Sequence, residues 1–167
     1  MRTAVVFLAS IFFVSLNVCA QAVDLCADPE ASAFDQQIGE WVSADGKKIH
    51  EISRTLEGCG VQEVWKTNGK ETARALKSFD GGSHDKNGEK RWYYTWTGRG
   101  YHQLWQGRKQ NGRWLFYREW WLQGKPMLSR TYWNFLPEGK LERVVEQSLD
   151  AGMTWRPHVS ETFTKRR

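Results

Sequence analysis

Arg118 and Glu146 are the two ionisable side chains that strand alternation places among tryptophans. A guanidinium and a carboxylate held in an apolar surround can anchor an anion and handle a proton. With Asn111-Gly112 as a two-residue turn, Trp105 faces Arg118 and Gln103 faces Trp120. With Arg99-Gly100 as the turn before it, Tyr94 faces Trp105 and Trp96 faces Gln103. Taking Gly124-Lys125 as a type II′ turn sets Thr131 opposite Arg118, Ser129 opposite Trp120 and Trp133 opposite Phe116. Glu138-Gly139 then brings Glu146 beside Thr131, in the row of Arg118 and two strands away at about 4.8 Å each. The candidate ligand-binding set is Tyr94, Trp96, Gln103, Trp105, Arg118, Trp120, Ser129, Trp133 and Glu146. The same residues also fit a satisfied core network inside a fully packed barrel.

Other chemistry is sparsely represented. His50, His84, His102 and His158 show no metal-ligand spacing, so no metal and no cofactor is expected, and a haem held through His158 would rest on that residue alone. No serine lies in a nucleophile elbow. Glu63 falls opposite Arg74 if Asn68-Gly69 is the turn, which reads as an ion pair. No catalytic residue is assigned.

The elements that must position these side chains are strands. Seven of the ten tryptophans lie between Arg91 and Phe135 in the runs RWYYTW, YHQLWQ, RWLFYREWW and SRTYWNF. Asp-Gly or Asn-Gly recurs at Asp45, Asn68, Asn87 and Asn111, the dipeptide that tolerates the positive φ of tight hairpin turns. Strands are expected near residues 41–45, 47–56, 61–67, 70–79, 91–97, 101–110, 113–123, 126–136, 140–149 and 155–165. The fold class is all-β, an antiparallel up-and-down meander of about 8–10 strands closing into a barrel, since closure removes open edges. Only residues 28–38 look helical. Asp28 would cap the helix, with Pro29 in its first turn and Ala31, Phe34 and Ile38 on one face.

The alternation assigns Trp92, Tyr94, Trp96, Gln103, Trp105, Trp114, Phe116, Arg118, Trp120, Trp133 and Phe135 to the interior. His102, Gln106, Arg108, Tyr117, Glu119, Arg130, Tyr132 and Arg143 go to the solvated face, with Glu119 opposite Arg130 as a cross-strand pair. Ser148-x-Asp150-x-Gly152-x-Thr154-Trp155 matches the Asp-box pattern once. It reads as a hairpin staple in which Asp150 accepts backbone amides and Trp155 packs beneath.

Met1 and Arg2 followed by the apolar residues 4–16, with small residues at Val18 and Ala20, have the form of a secretory signal peptide over residues 1–20; Ala22 offers a second cleavage point. The apolar run is shorter than the ~20 residues of a spanning helix, so no transmembrane anchor is expected after cleavage. Residues 21–167 then form a single barrel domain, periplasmic or secreted. Loss of the segment removes Arg2 and takes the formal net charge from +5 to +4. Cys26 and Cys59 remain as an even pair in an oxidising compartment and are expected to form a disulfide. Basic residues near aromatics raise nucleic acid as a partner, but export and the inward placement of the indoles argue against it.

Phe34-Asp35-x-x-x-Gly39-Glu40-Trp41, Gly58-Cys59-x-x-x-Glu63-x-Trp65 and the Asp-box segment resemble an exported bacterial family of uncharacterised lipocalin-like proteins. The likeness spans nearly the whole mature chain and implies a calycin-type barrel; the family carries no established activity, so it implies no catalytic residue. Gln36 and Gln37 stand where that family has aromatic or apolar residues. The expected function is an exported lipocalin-like protein binding a small hydrophobic, aromatic or anionic molecule in a tryptophan-lined interior. Two alternatives stay open. One is an enzyme on the same barrel acting on a phenolic or hydrophobic acid through Glu146 and Arg118. The other is an envelope protein that engages a partner through Trp121, Tyr117 and Tyr132.

Overall fold

The computed structural model describes residues 25–82 and 86–166. The expected signal segment, residues 1–20, lies outside them. Ten strands follow one another: β1 (Gly39–Ser43), β2 (Lys48–Thr55), β3 (Gly60–Thr67), β4 (Lys70–Asp80), β5 (Arg91–Gly98), β6 (Tyr101–Gln110), β7 (Arg113–Leu122), β8 (Lys125–Leu136), β9 (Lys140–Ser148) and β10 (Arg156–Lys165). Each pairs antiparallel with the next, and β10 returns to β1 to close the barrel. All ten expected strands are present.

The turns set the register. Asn111-Gly112 and Arg99-Gly100 have positive φ at both positions; Tyr94 pairs with Trp105 and Trp96 with Gln103 as expected, but the β6–β7 ladder stops at Gln106–Tyr117, so among the described residues Trp105 is not paired with Arg118, nor Gln103 with Trp120. The β7–β8 turn is Gln123-Gly124, not Gly124-Lys125, because Gln123 itself takes a positive φ of 50°. Arg118 therefore faces Ser129, and Thr131 faces Phe116. That is a slip of two residues, which leaves every side chain on its expected face. The β8–β9 connection holds a third residue, Pro137, so Thr131 pairs with Val145. This slip is of one residue. It moves Glu146 to the outside and turns Arg143, expected outside, to the interior beside Trp133. A bulge after Trp65 does the same on β3–β4, so Glu63 stands opposite Ala75 rather than Arg74. Glu119, for its part, faces Leu128, and Arg130 faces Tyr117.

The segment before β1 closes one end. After a 3-10 turn at Leu25–Ala27, residues 28–38 form two more, Pro29–Ser32 and Asp35–Gln37, in place of one α-helix, with the Asp28 carboxylate accepting the Glu30 amide at 2.9 Å. A period of three rather than 3.6 selects Ala31, Phe34 and Gln37 for burial and leaves Ile38 half-buried. Phe34 packs edge-on against Trp92 with ring centres 4.8 Å apart and also meets Phe116. The Trp92 and Trp41 indole N–H groups donate to the Glu30 and Gln37 carbonyls, and a disulfide joins Cys26 to Cys59. The core above this plug is largely aromatic: Trp41, Trp92, Tyr94, Trp105, Trp114, Phe116, Trp133 and Phe163 are all buried. Gly107 faces inward among them, where a Cβ would lie 2.6 Å from the Trp92 carbonyl oxygen. Phe135 shares the inner face but lies at the barrel end near Trp41, 45% exposed.

Candidate functional site

At the end opposite the plug, β5 to β10 surround a cavity of about 250 Å³. Three indoles form much of its wall: Trp96 of β5, Trp105 of β6 and Trp120 of β7. Arg118 and Arg143 supply charge, Gln103, Ser129 and Gln147 supply amides and a hydroxyl, and Val145 and Val159 complete the lining. His158 joins them because the β9–β10 ladder bulges between Pro157 and Val159, which re-aims the intervening residue. No carboxylate is among the described lining residues.

Arg118 dominates the electrostatics. Its guanidinium carbon lies 4.8 Å from the Trp105 ring centre and 5.2 Å from that of Trp120. Both contacts are cation–π interactions, which neutralise no charge. It has no carboxylate partner among the described residues, and burial pulls its pKa below the usual guanidinium value. The Arg118 Nε–H and the Trp105 indole N–H are buried without an acceptor, as is the Arg143 Nε–H. All three are donors. A guanidinium on the wall with no carboxylate partner among the described residues is the complement of an oxygen-rich or anionic group. By contrast, the Trp120 indole donates to the Ser129 hydroxyl at 2.8 Å, and Arg143 reaches Glu161 at 3.3 Å while lying over the Trp65 ring.

Deeper in the barrel lies a second polar group. Glu63, Lys77 and His50 are fully buried, and Lys77 donates both to the Glu63 carboxylate and to Gln37 Oε1 at 2.6 Å. Its ammonium also sits 3.8 Å from the Trp133 ring centre. His50 Nε2 donates to Glu63 at 3.1 Å, and the ring stacks on Trp65 at 3.5 Å. The Tyr94 hydroxyl approaches the same carboxylate at 3.4 Å. Burial alone would raise the Glu63 pKa, but Lys77 and His50 outweigh it and hold the group well below the usual carboxylate range. Burial lowers the His50 pKa against the pull of Glu63. Burial likewise pushes the Tyr94 phenol up, and Glu63 adds to the effect. These groups form a closed internal network, with Gln37 of the plug completing the lysine's shell.

Of the expected site residues, Trp96, Gln103, Trp105, Arg118, Trp120 and Ser129 line the one cavity. Tyr94 and Trp133 lie beneath it, their rings packed edge to face at 5.4 Å. Glu146 is on the opposite face of the wall, where Arg130 donates to it at 2.5 Å. The row pairing of Arg118 with Glu146 is thereby corrected. So is the Glu63–Arg74 pair, because Arg74 instead donates to Glu71 at 2.7 Å. Sequence reasoning missed Lys77, the inward role of Glu63 and His50, and Arg143. The signal for Lys77 was present: Ala73, Ala75, Lys77 and Phe79 alternate along β4 and all face inward.

On the outer face, Ser148 donates to Asp150 at 2.7 Å, and Asp150 accepts the Thr154 amide at 2.8 Å, the geometry expected of the hairpin staple. Trp155 packs under the Arg130 guanidinium at 4.3 Å and against Tyr117. Tyr132 is covered by Arg113, whereas Trp121 is 70% exposed. The fold and the site together define a closed antiparallel barrel with a cationic, indole-lined mouth. No protein-family model matches this chain, and no curated protein matches it.

Proposed function

We propose that this is an exported, lipocalin-like binding protein that holds a small aromatic anion in the barrel mouth. The observation that carries the reading is Arg118, a cation set between two indoles with no carboxylate beside it among the described residues. A flat, acidic ligand supplies what the site lacks: acceptor oxygens for Arg118, and a ring to stack among Trp96, Trp105 and Trp120. A volume of about 250 Å³ suits one or two fused rings. The disulfide between Cys26 and Cys59 fits an oxidising compartment, and no helix among the described residues is long and apolar enough to cross a membrane.

The test is a titration of indole fluorescence with aromatic carboxylates and their neutral amides. The acids should quench saturably and the amides bind at least tenfold more weakly. Equal affinity for acids and amides would remove the role of Arg118. Calorimetry with the same compounds would show whether a silent spectrum hides binding.

A further inference from the structure

The barrel wall is not laddered throughout. Between β6 and β7, pairing runs from Gln110 with Arg113 to Gln106 with Tyr117. Yet β6 begins at Tyr101 and β7 continues to Leu122. Among the described residues no rung joins 101–105 to 118–122, and these stretches pair only with β5 and β8. Arg118 stands at this seam, its guanidinium between Trp105 of one strand and Trp120 of the other.

The seam separates two spaces that share Arg118. Inside is the mouth cavity of about 250 Å³; outside is a groove of about 730 Å³ lined by Leu104, Leu128, Tyr117 and Trp155 among others. Leu104 is 57% exposed, an apolar side chain facing solvent at the edge of the gap. The inner cavity is polar at Arg118 and too small to enclose a long chain, whereas the outer groove, which also carries Arg108, Glu119 and Arg130, sets the apolar Leu104 and Leu128 directly across the wall.

We infer that the ligand class is an elongated amphiphilic acid bound through the wall. Its acidic, aromatic end occupies the mouth cavity at Arg118. Its apolar tail leaves between residues 101–105 and 118–122 and lies along Leu104 and Leu128. This assignment rests on the mouth being an anion site, and it adds the seam and the groove to that site.

The experiment compares naphthoic acid with naphthoic acids bearing butyl and hexyl tails, by calorimetry on the mature protein. Burial of the tail should tighten binding by roughly twofold or more per methylene. The hexyl compound should then bind at least tenfold more tightly than the parent. In the Leu104→Asp/Leu128→Asp variant the hexyl-to-parent ratio should fall toward one. A second variant, Leu104→Cys/Glu119→Cys, places thiols two residues beyond the Gln106–Tyr117 rung on each strand. Cross-linking them should abolish the tail's gain relative to the uncross-linked protein. If the parent acid binds but tails add nothing, the seam proposal is overturned and the mouth reading survives. If no acid binds, both fall.

Discussion

Lys77 carries its charge into the barrel with a carboxylate, an amide oxygen and an indole face around it, whereas Arg118 has indole faces alone. The difference decides what each does. Lys77 and Glu63 are fully buried partners, so removing one leaves a stranded charge in a low-dielectric interior. Glu63→Gln should destabilise the protein by about 3–5 kcal/mol in urea unfolding. Adding Lys77→Met should recover part of that loss, and additive losses would mean that the two charges are not coupled. The pH dependence has a defined sign. Glu63 is held below its ordinary pKa of 4.5, and His50 below its 6.5. The unfolded chain therefore takes up protons that the native barrel refuses, and stability falls as pH drops below about 6.5 and again below about 4.5. A melting temperature that rose on acidification from pH 7 to 4 would contradict this network. Alternation made the inward set of β5 to β7 legible, since each of those turns carries a recognisable dipeptide. Lys77 was not legible because a lysine on a strand is nearly always solvated, and only its place among Ala73, Ala75 and Phe79 marks it otherwise.

At the scale of elements, connection length is what separated correct from incorrect expectations. A two-residue slip at Gln123-Gly124 cost nothing in facing, but the single residue added at Pro137 carried Glu146 out of the site and brought Arg143 in. The bulge opposite Trp65 adds Thr72 to β4, turning Arg74 outward and Lys77 inward. Bulges leave almost no composition signal, so the buried cation of the core was hidden while the turns were plain. The Asp-box hairpin yields its own prediction. Asp150 is lowered to about 2 by hydrogen bonds from the Thr154 hydroxyl and amide, and then from Ser148. Its folded pKa is depressed, so its contribution is full above about pH 4 and is lost as pH falls through about 2. Asp150→Ala should lower the melting temperature at pH 7 and have little effect near pH 2. An equal effect at both would mean that the hydrogen bonds of the ionised carboxylate are not the cause. Gly107→Ala should cost about 1–3 kcal/mol, since the added methyl meets the Trp92 backbone. Chemical denaturation measures that loss, and an unchanged midpoint would show that β6 can shift to admit it.

For the whole molecule, plug and mouth divide the labour between opposite ends. The 3-10 segment, the disulfide and the Gln37–Lys77 contact seal one end, and the Arg118 cavity lies at the other. Replacing Cys26 and Cys59 by serine should cost about 3–4 kcal/mol on a loop-entropy account for a separation of 33 residues. Ligand affinity measured well below the melting temperature should be unchanged, and a parallel loss of binding would mean that the plug shapes the mouth. The barrel class was readable from the turns and the aromatic runs. The plug's 3-10 form was not, because Ile38 and Gln37 differ by one position and only the period of the turn decides between them.

Whether Arg118 makes the mouth an anion site is decided by calorimetric titration of naphthoic acid and its amide into the wild-type protein and Arg118→Ala. The wild type should prefer the acid at least tenfold, and the variant should lose that preference, its affinity for the amide changing far less. An undiminished preference for the acid in Arg118→Ala would contradict the account.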